Sequence, residues 1–173
     1  MNSTVSFTKG LSEVTALWED EKYDRALVRV QEMRKLWPGN SHLYLLSARL
    51  IQLQDESKHT LADAKRMLQQ AIDLDKQSPA AAIELGCFLD NVEDDPQSAT
   101  KAFAQGIAAA RQLLIEGLLG QTRSLIQLDN REDAVRCLVD ALHLADAEKA
   151  ASRKRFTERI DELMKELGQM QTA

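Results

Sequence analysis

The sequence has few of the residues that interrupt helices or cross-link chains. Its 173 residues include 3 Pro, 7 Gly and 2 Cys, and only 5% are aromatic. Cys87 and Cys137 provide neither a disulfide framework nor the spacing of a metal site. The abundant residues are instead Ala, Leu, Gln, Asp and Glu, and most of these lose little side-chain freedom in a helix. The composition therefore favours an all-α protein.

Long runs of one charge or of apolar residues are also missing. The net charge is −5, and the longest basic stretch, residues 153–155, lies among Ala and Glu. Binders of nucleic acids or membrane surfaces have clustered basic residues, so neither partner is expected. No window reaches the roughly 18 apolar residues of a membrane span. Residues 1–9 lack the hydrophobic core of an export signal, and we expect a cytoplasmic protein.

Residues that perform catalysis or bind metal ions do not converge in the sequence. The three histidines, His42, His59 and His143, lack the i, i+4 spacing of a helical metal site. Residues 73–84 imitate a calcium loop, but Ser78 stands where the sharp turn requires Gly. Neither cysteine has an identifiable base to activate it. We expect no enzymatic activity, no metal site and no cofactor.

A repeat is the strongest signal in the sequence. Ala26, Ala64, Ala99 and Ala134 each lead a stripe whose other members follow four and seven positions later, on the same helix face. A small residue at this position lets a neighbouring helix approach closely. Each copy is preceded by a second stripe, which predicts a repeated pair of antiparallel helices. Three of these preceding stripes are Tyr44-Ser47-Ala48-Ile51, Ala82-Leu85-Gly86-Leu89 and Leu118-Gln121-Thr122-Leu125.

Helix-capping and helix-breaking residues lie between the stripes. Ser78-Pro79 and Asp95-Pro96 place a cap before a proline, and Thr60 with Asp63 resembles a capping box. Between Ala99 and Leu128 there is no strong breaker, so one helix is expected to continue there with only a slight bend. The predicted organisation is a tail at 1–6, hairpins at 7–40, 41–77, 78–112 and 113–146, and a C-terminal part at 147–173 whose helix, at about 149–167, caps the array.

Several segments resemble the tetratricopeptide repeat family. Residues 22–26 and 36–40 are similar to the second half of that motif, Leu85-Gly86 matches its first helix, and residues 127–134 resemble its internal turn. The resemblance covers about residues 7 to 146, with longer loops near 55–59 and 93–95. It implies a right-handed superhelix of helical hairpins in which the first helix of each pair lines a concave surface.

The resemblance also implies where a partner would bind. In each of the three preceding stripes, the residue that follows the first member is expected to face the concave surface. The residues four and seven positions after that one share its helix face, so after Tyr44 the three positions are 45, 49 and 52. Family members that grip a C-terminal carboxylate use Lys, Asn and Arg there, whereas this chain has aliphatic residues. The predicted groove consists of Leu45, Arg49, Gln52, Ile83, Cys87, Asp90, Leu119, Arg123 and Ile126.

Three functions follow from this interpretation. An adaptor that binds a peptide or amphipathic helix of another protein is favoured. A cytosolic chaperone of a secreted protein is an alternative, because such chaperones resemble this chain in size and repeat number. An RNA-binding helical repeat is a third, although the acidic net charge opposes it. The sequence leaves open whether the protein forms a homodimer.

Overall fold

The computed structural model describes residues 6–54, 59–146 and 150–169. Within these ranges there are eight helices and no strand, so the predicted all-α fold is confirmed. Most of the extra loop expected near Asp55 lies outside the described residues. The helices are α1 (Phe7–Glu19), α2 (Tyr23–Leu36), α3 (Ser41–Gln52), α4 (Leu61–Leu74), α5 (Pro79–Asn91), α6 (Pro96–Gln127), α7 (Arg131–Asp146) and α8 (Ala150–Gln169).

The predicted capping residues begin three of the helices. Thr60 and Asp63 form a complete capping box at α4, because each side chain accepts a hydrogen bond from the backbone N–H of the other residue. Ser78 caps α5, with proline in the first turn of that helix. At the start of α6, Asp95 accepts a hydrogen bond from the Ser98 N–H at 3.0 Å. Side-chain acceptors thus satisfy backbone donors that a helix start leaves free.

The first compact unit ends at Gly106 and contains α1 to α5 with the beginning of α6. Its hairpins pack as the repeat predicts, and the leading Ala26, Ala64 and Ala99 are all buried. α3 packs against α2 on one side and α4 on the other, which buries most of its surface. Gly86 in α5 accommodates Phe103 of α6, since a Cβ at Gly86 would lie 2.6 Å from the Phe103 ring.

The boundary predicted between residues 112 and 113 falls inside one helix. α6 is 32 residues long and has no turn at that point. The helix continues because Gly117 and Gly120 each weaken a helix by only about 1 kcal/mol and do not break it. The third and fourth predicted hairpins therefore share α6.

The second compact unit begins at Ile107 and contains the rest of α6 with α7 and α8. Ile115 and Leu119 of α6 form a core with Ala134, Leu138 and Ala141 of α7 and with the apolar stripe of α8. The predicted C-terminal helix is confirmed. One member of the predicted apolar stripe is not buried: Met164 is 52% exposed. The buried members of the stripe are Phe156, Ile160, Leu163 and Leu167.

Candidate functional site

Two residues of the predicted groove are buried and do not line a surface. Leu45 is 4% exposed and Leu119 is 1% exposed. Leu45 is buried because α3 packs against α2 and α4 at once. Leu119 is buried because α7 and α8 cover its side of α6. The sequence register is therefore corrected at both positions.

On the exposed face of α3, the aliphatic residue lies one position later than predicted. His42, Leu46, Arg49 and Leu53 recur with helical spacing and remain partly or fully exposed, and Arg49 was among the predicted residues. Leu46 therefore takes the place assigned to Leu45.

The remaining predicted residues have different surroundings. In α5, Ile83, Cys87 and Asp90 are all exposed. Ile83 packs over Gly106, because a Cβ at Gly106 would lie 2.7 Å from Ile83 Cγ1. Arg123 is exposed and Ile126 half-buried, and both belong to the second unit.

Two adjoining hollows lie along the first helices of the hairpins in the first unit, and together we call them the inner groove. Trp18 and Arg49 belong to both hollows, so the two are continuous. The first, of about 350 Å³, lies between α1 and α3, and the second, of about 330 Å³, extends to α5. The first is lined by Leu11, Val14, Thr15, Trp18, Glu19, His42, Leu46 and Arg49, and the second by Trp18, Arg49, Gln52, Leu53 and Glu84.

An ion pair crosses the inner groove between two helices. Arg49 of α3 donates hydrogen bonds to Glu84 Oε2 from Nε at 3.0 Å and from Nη2 at 2.7 Å. Both side chains remain partly exposed. A partly exposed pair contributes about 0–1 kcal/mol to stability. Its main effect is to fix the position of Arg49, the only arginine among the described residues that line the groove.

His42 lines the same hollow as Arg49, between α1 and α3. Partial burial lowers the pKa of His42 below its ordinary value, and the positive charge of Arg49 lowers it further. His42 is therefore uncharged at pH 7. It presents a neutral polar ring to the inner groove.

The chemistry of the inner groove is that of a binding surface. Trp18, Leu46 and Leu53 provide apolar area, while Arg49 and the side chains around it provide polar contacts. Such a combination suits an amphipathic segment. Among the described residues, no group of three or more His, Cys, Asp or Glu side chains could hold a metal ion.

Of the eleven residues that line the inner groove, only Arg49 and Gln52 were predicted from the sequence. The nine that were missed include Trp18, Leu46, Leu53 and Glu84. Trp18 had a detectable signal, because it follows Leu11 by seven positions and so shares its helix face. Glu84 had none, since its role depends on Arg49, which lies 35 residues earlier.

No family model and no curated protein matches this chain. Among solved structures, it is similar to MamA, residues 41 to the end, from Desulfovibrio magneticus RS-1. The TM-score is 0.53 at 20% identity, and the match covers 62% of this chain and 58% of that chain, less than two thirds of its length. MamA contains tetratricopeptide repeats, so the similarity shows a fold of that type. No helix in the described part of this chain is long and apolar enough to span a membrane.

Proposed function

We propose that this chain is a helical-repeat adaptor that binds a segment of another protein in the inner groove. The observation that carries the proposal is the position of Trp18. Its half-buried side chain lies where the two hollows meet, beside Arg49. Tryptophan and arginine are the residue types most enriched among those that dominate binding energy at protein interfaces.

The lining of the inner groove favours a peptide or amphipathic helix as the ligand. Trp18, Leu46 and Leu53 are partly exposed, so a ligand can remove further apolar area from water. Each Å² of that area contributes roughly 25 cal/mol. Arg49, Gln52 and the other polar side chains then fix the orientation of the bound segment, since their hydrogen bonds are directional.

The charges of the groove disfavour RNA. Arg49 is the one cation among the residues that line it, and it already pairs with Glu84. Glu19 adds a second negative charge. Phosphate groups need several cationic contacts. A chaperone of a secreted protein would use the same groove, and the identity of the captured partner decides between these two roles.

Site-specific cross-linking in the native host tests the proposal. A photoreactive amino acid at position 53, in the inner groove, is compared with one at position 61, which is exposed at the start of α4. The proposal expects one partner to be captured from position 53 only. Trp18→Ala and Arg49→Glu should each abolish that adduct. Identical adducts from both positions, or none from position 53, would contradict the proposal.

Fluorescence then measures the affinity for the captured segment. The chain has two tryptophans, and Trp37 packs edge-on against Phe7 with ring centroids 5.2 Å apart. Trp37→Phe therefore leaves Trp18 as the reporter. A synthetic peptide of the captured segment should change its emission with saturation.

A further inference from the structure

A separate hollow of about 430 Å³ lies between α2, α3 and α4 of the first unit, and we call it the basic hollow. It shares no lining residue with the inner groove. Gln31 and His59 hold two of its walls together through a contact of 3.2 Å between their Nε2 atoms. The lining comprises Leu27, Gln31, Arg34, Lys35, Tyr44, Ser47, Ile51, His59, Asp63, Arg66 and Met67.

The lining carries an excess of positive charge in an otherwise acidic chain. Among the described residues that line the hollow, Arg34, Lys35 and Arg66 are cationic, and Asp63 is the only acid. Asp63 is already engaged, because it accepts hydrogen bonds from the Thr60 N–H at 2.8 Å, from the Thr60 hydroxyl at 3.0 Å and from Arg66. The Asp63 carboxylate therefore accepts hydrogen bonds from Thr60 and Arg66, and no hydrogen bond joins it to Arg34 or Lys35 among the described residues.

Arg34 is held in the wall of the basic hollow by contacts with Tyr44 and Ser47. Its guanidinium carbon lies 4.0 Å from the centre of the Tyr44 ring, and Nη1 donates to Ser47 Oγ over a long distance of 3.4 Å. Its Nε is buried and has no hydrogen-bond partner within the described part of the chain. A ligand in the basic hollow would therefore contact the exposed part of the Arg34 side chain and not its Nε.

We propose that the basic hollow binds a phosphomonoester, either a small metabolite or a phosphorylated side chain of a partner protein. Guanidinium groups match the geometry of phosphate oxygens and remain charged. Phosphate oxygens would accept hydrogen bonds from the exposed part of the Arg34 guanidinium, and Lys35 and Arg66 would add charge. Leu27, Ile51 and Met67 line the same hollow and provide apolar surface for the organic group of the ester.

The chain offers a matched control for the charge of Arg66. Arg66 is 63% exposed in its side chain and pairs with Asp63 three residues earlier. Arg136 is 65% exposed and pairs with Asp133 in the same i, i+3 arrangement at the start of α7. Arg66→Gln and Arg136→Gln therefore remove the same charge and the same kind of i, i+3 pair, and Arg136→Gln also removes a 3.3 Å contact with Glu132. Only the first of the two changes the basic hollow.

Calorimetric titration with phosphoserine, at constant ionic strength set with sodium chloride, tests the proposal. Arg34→Gln and Arg66→Gln should each weaken binding at least tenfold, about 1.4 kcal/mol. Arg136→Gln and the groove variant Arg49→Glu should leave the affinity unchanged. Lys35→Gln, at an exposed position, should weaken binding while the protein still melts normally, which covers the case in which Arg34→Gln fails to fold.

The source of the phosphate is distinguished by two further probes. A phosphoserine peptide that binds at least tenfold more tightly than phosphoserine supports a partner protein. Glycerol phosphate that binds at least as tightly as that peptide supports a metabolite. Absence of binding by every probe at millimolar concentration would overturn the proposal. An equal loss of affinity in Arg66→Gln and Arg136→Gln would also overturn it, because binding would then follow net charge alone.

Discussion

Arg49 on α3 and Glu84 on α5 are joined by two hydrogen bonds to one carboxylate oxygen, across the inner groove and 35 residues apart in sequence. Both side chains come from the first helix of a hairpin, so the pair links successive repeat units on the side proposed for the ligand. Partial burial lowers the pKa of His42, and the same arginine lowers it further. Arg49 thus acts on a carboxylate and on an imidazole that both line the inner groove.

Exchanging the two charges of this ion pair should restore the stability that either single substitution removes. Arg49→Glu places two carboxylates opposite each other and should lower stability by about 1 kcal/mol or less, since the pair is partly exposed. The double variant Arg49→Glu with Glu84→Arg should recover the loss. Urea unfolding of the four proteins in a double-mutant cycle measures the coupling. Strictly additive effects would contradict a direct interaction.

The glycines of the two units should respond in opposite directions to a methyl group. Gly86→Ala should destabilise the protein by about 1–3 kcal/mol, because the added carbon would lie 2.6–2.9 Å from the Phe103 ring. Gly117→Ala meets no atom within 4 Å and should stabilise α6 by about 0.5–1 kcal/mol. Denaturant midpoints measure both. A loss of stability in both variants would show that α6 is not open at residue 117.

The C-terminal helix α8 should contribute to the stability of the protein only through its buried face. Phe156 is buried in the core of the second unit, and Phe156→Ala should cost about 3–5 kcal/mol. Met164→Ala removes an exposed side chain of the same helix and should change stability by about 0.5 kcal/mol or less. Thermal melting compares the two variants. Similar midpoints would contradict the packing of α8.

The repeat could be predicted from the sequence because packing requires a small residue at one position of each unit. Ala26, Ala64, Ala99 and Ala134 are all buried as that argument requires. Periodicity identifies the residues that share a helix face, but it does not tell how many neighbouring helices cover the rest. Leu45 was misplaced for that reason, because α3 has neighbours on two sides. Leu119 was misplaced because α7 and α8 determine which side of α6 is buried.

The stability of the protein should depend on pH through His42. Its pKa is lowered in the folded state, so the unfolded chain binds more protons between the folded value and about 6.5. Stability should therefore be constant above pH 6.5 with respect to this group and should fall as the pH drops below it. His42→Gln should remove that part of the dependence. Urea unfolding of both proteins between pH 5 and 8 measures the difference, and identical profiles would contradict the pKa shift.

The central claim is that the inner groove binds a partner while the buried face of α3 holds the fold. Leu53→Glu, at a groove residue that is 39% exposed, should weaken binding of the cross-linked partner segment at least tenfold and leave the melting midpoint nearly unchanged. Leu45→Glu should lower stability by several kcal/mol, because it buries an unpaired charge. Leu61→Glu, at an exposed position in the first turn of α4, should affect neither quantity.

A melting curve beside a fluorescence titration of Leu53→Glu is the most direct measurement. We predict a loss of affinity without a loss of stability. An unchanged affinity for the partner segment in Leu53→Glu, with the protein fully folded, would contradict the inner groove as the binding site.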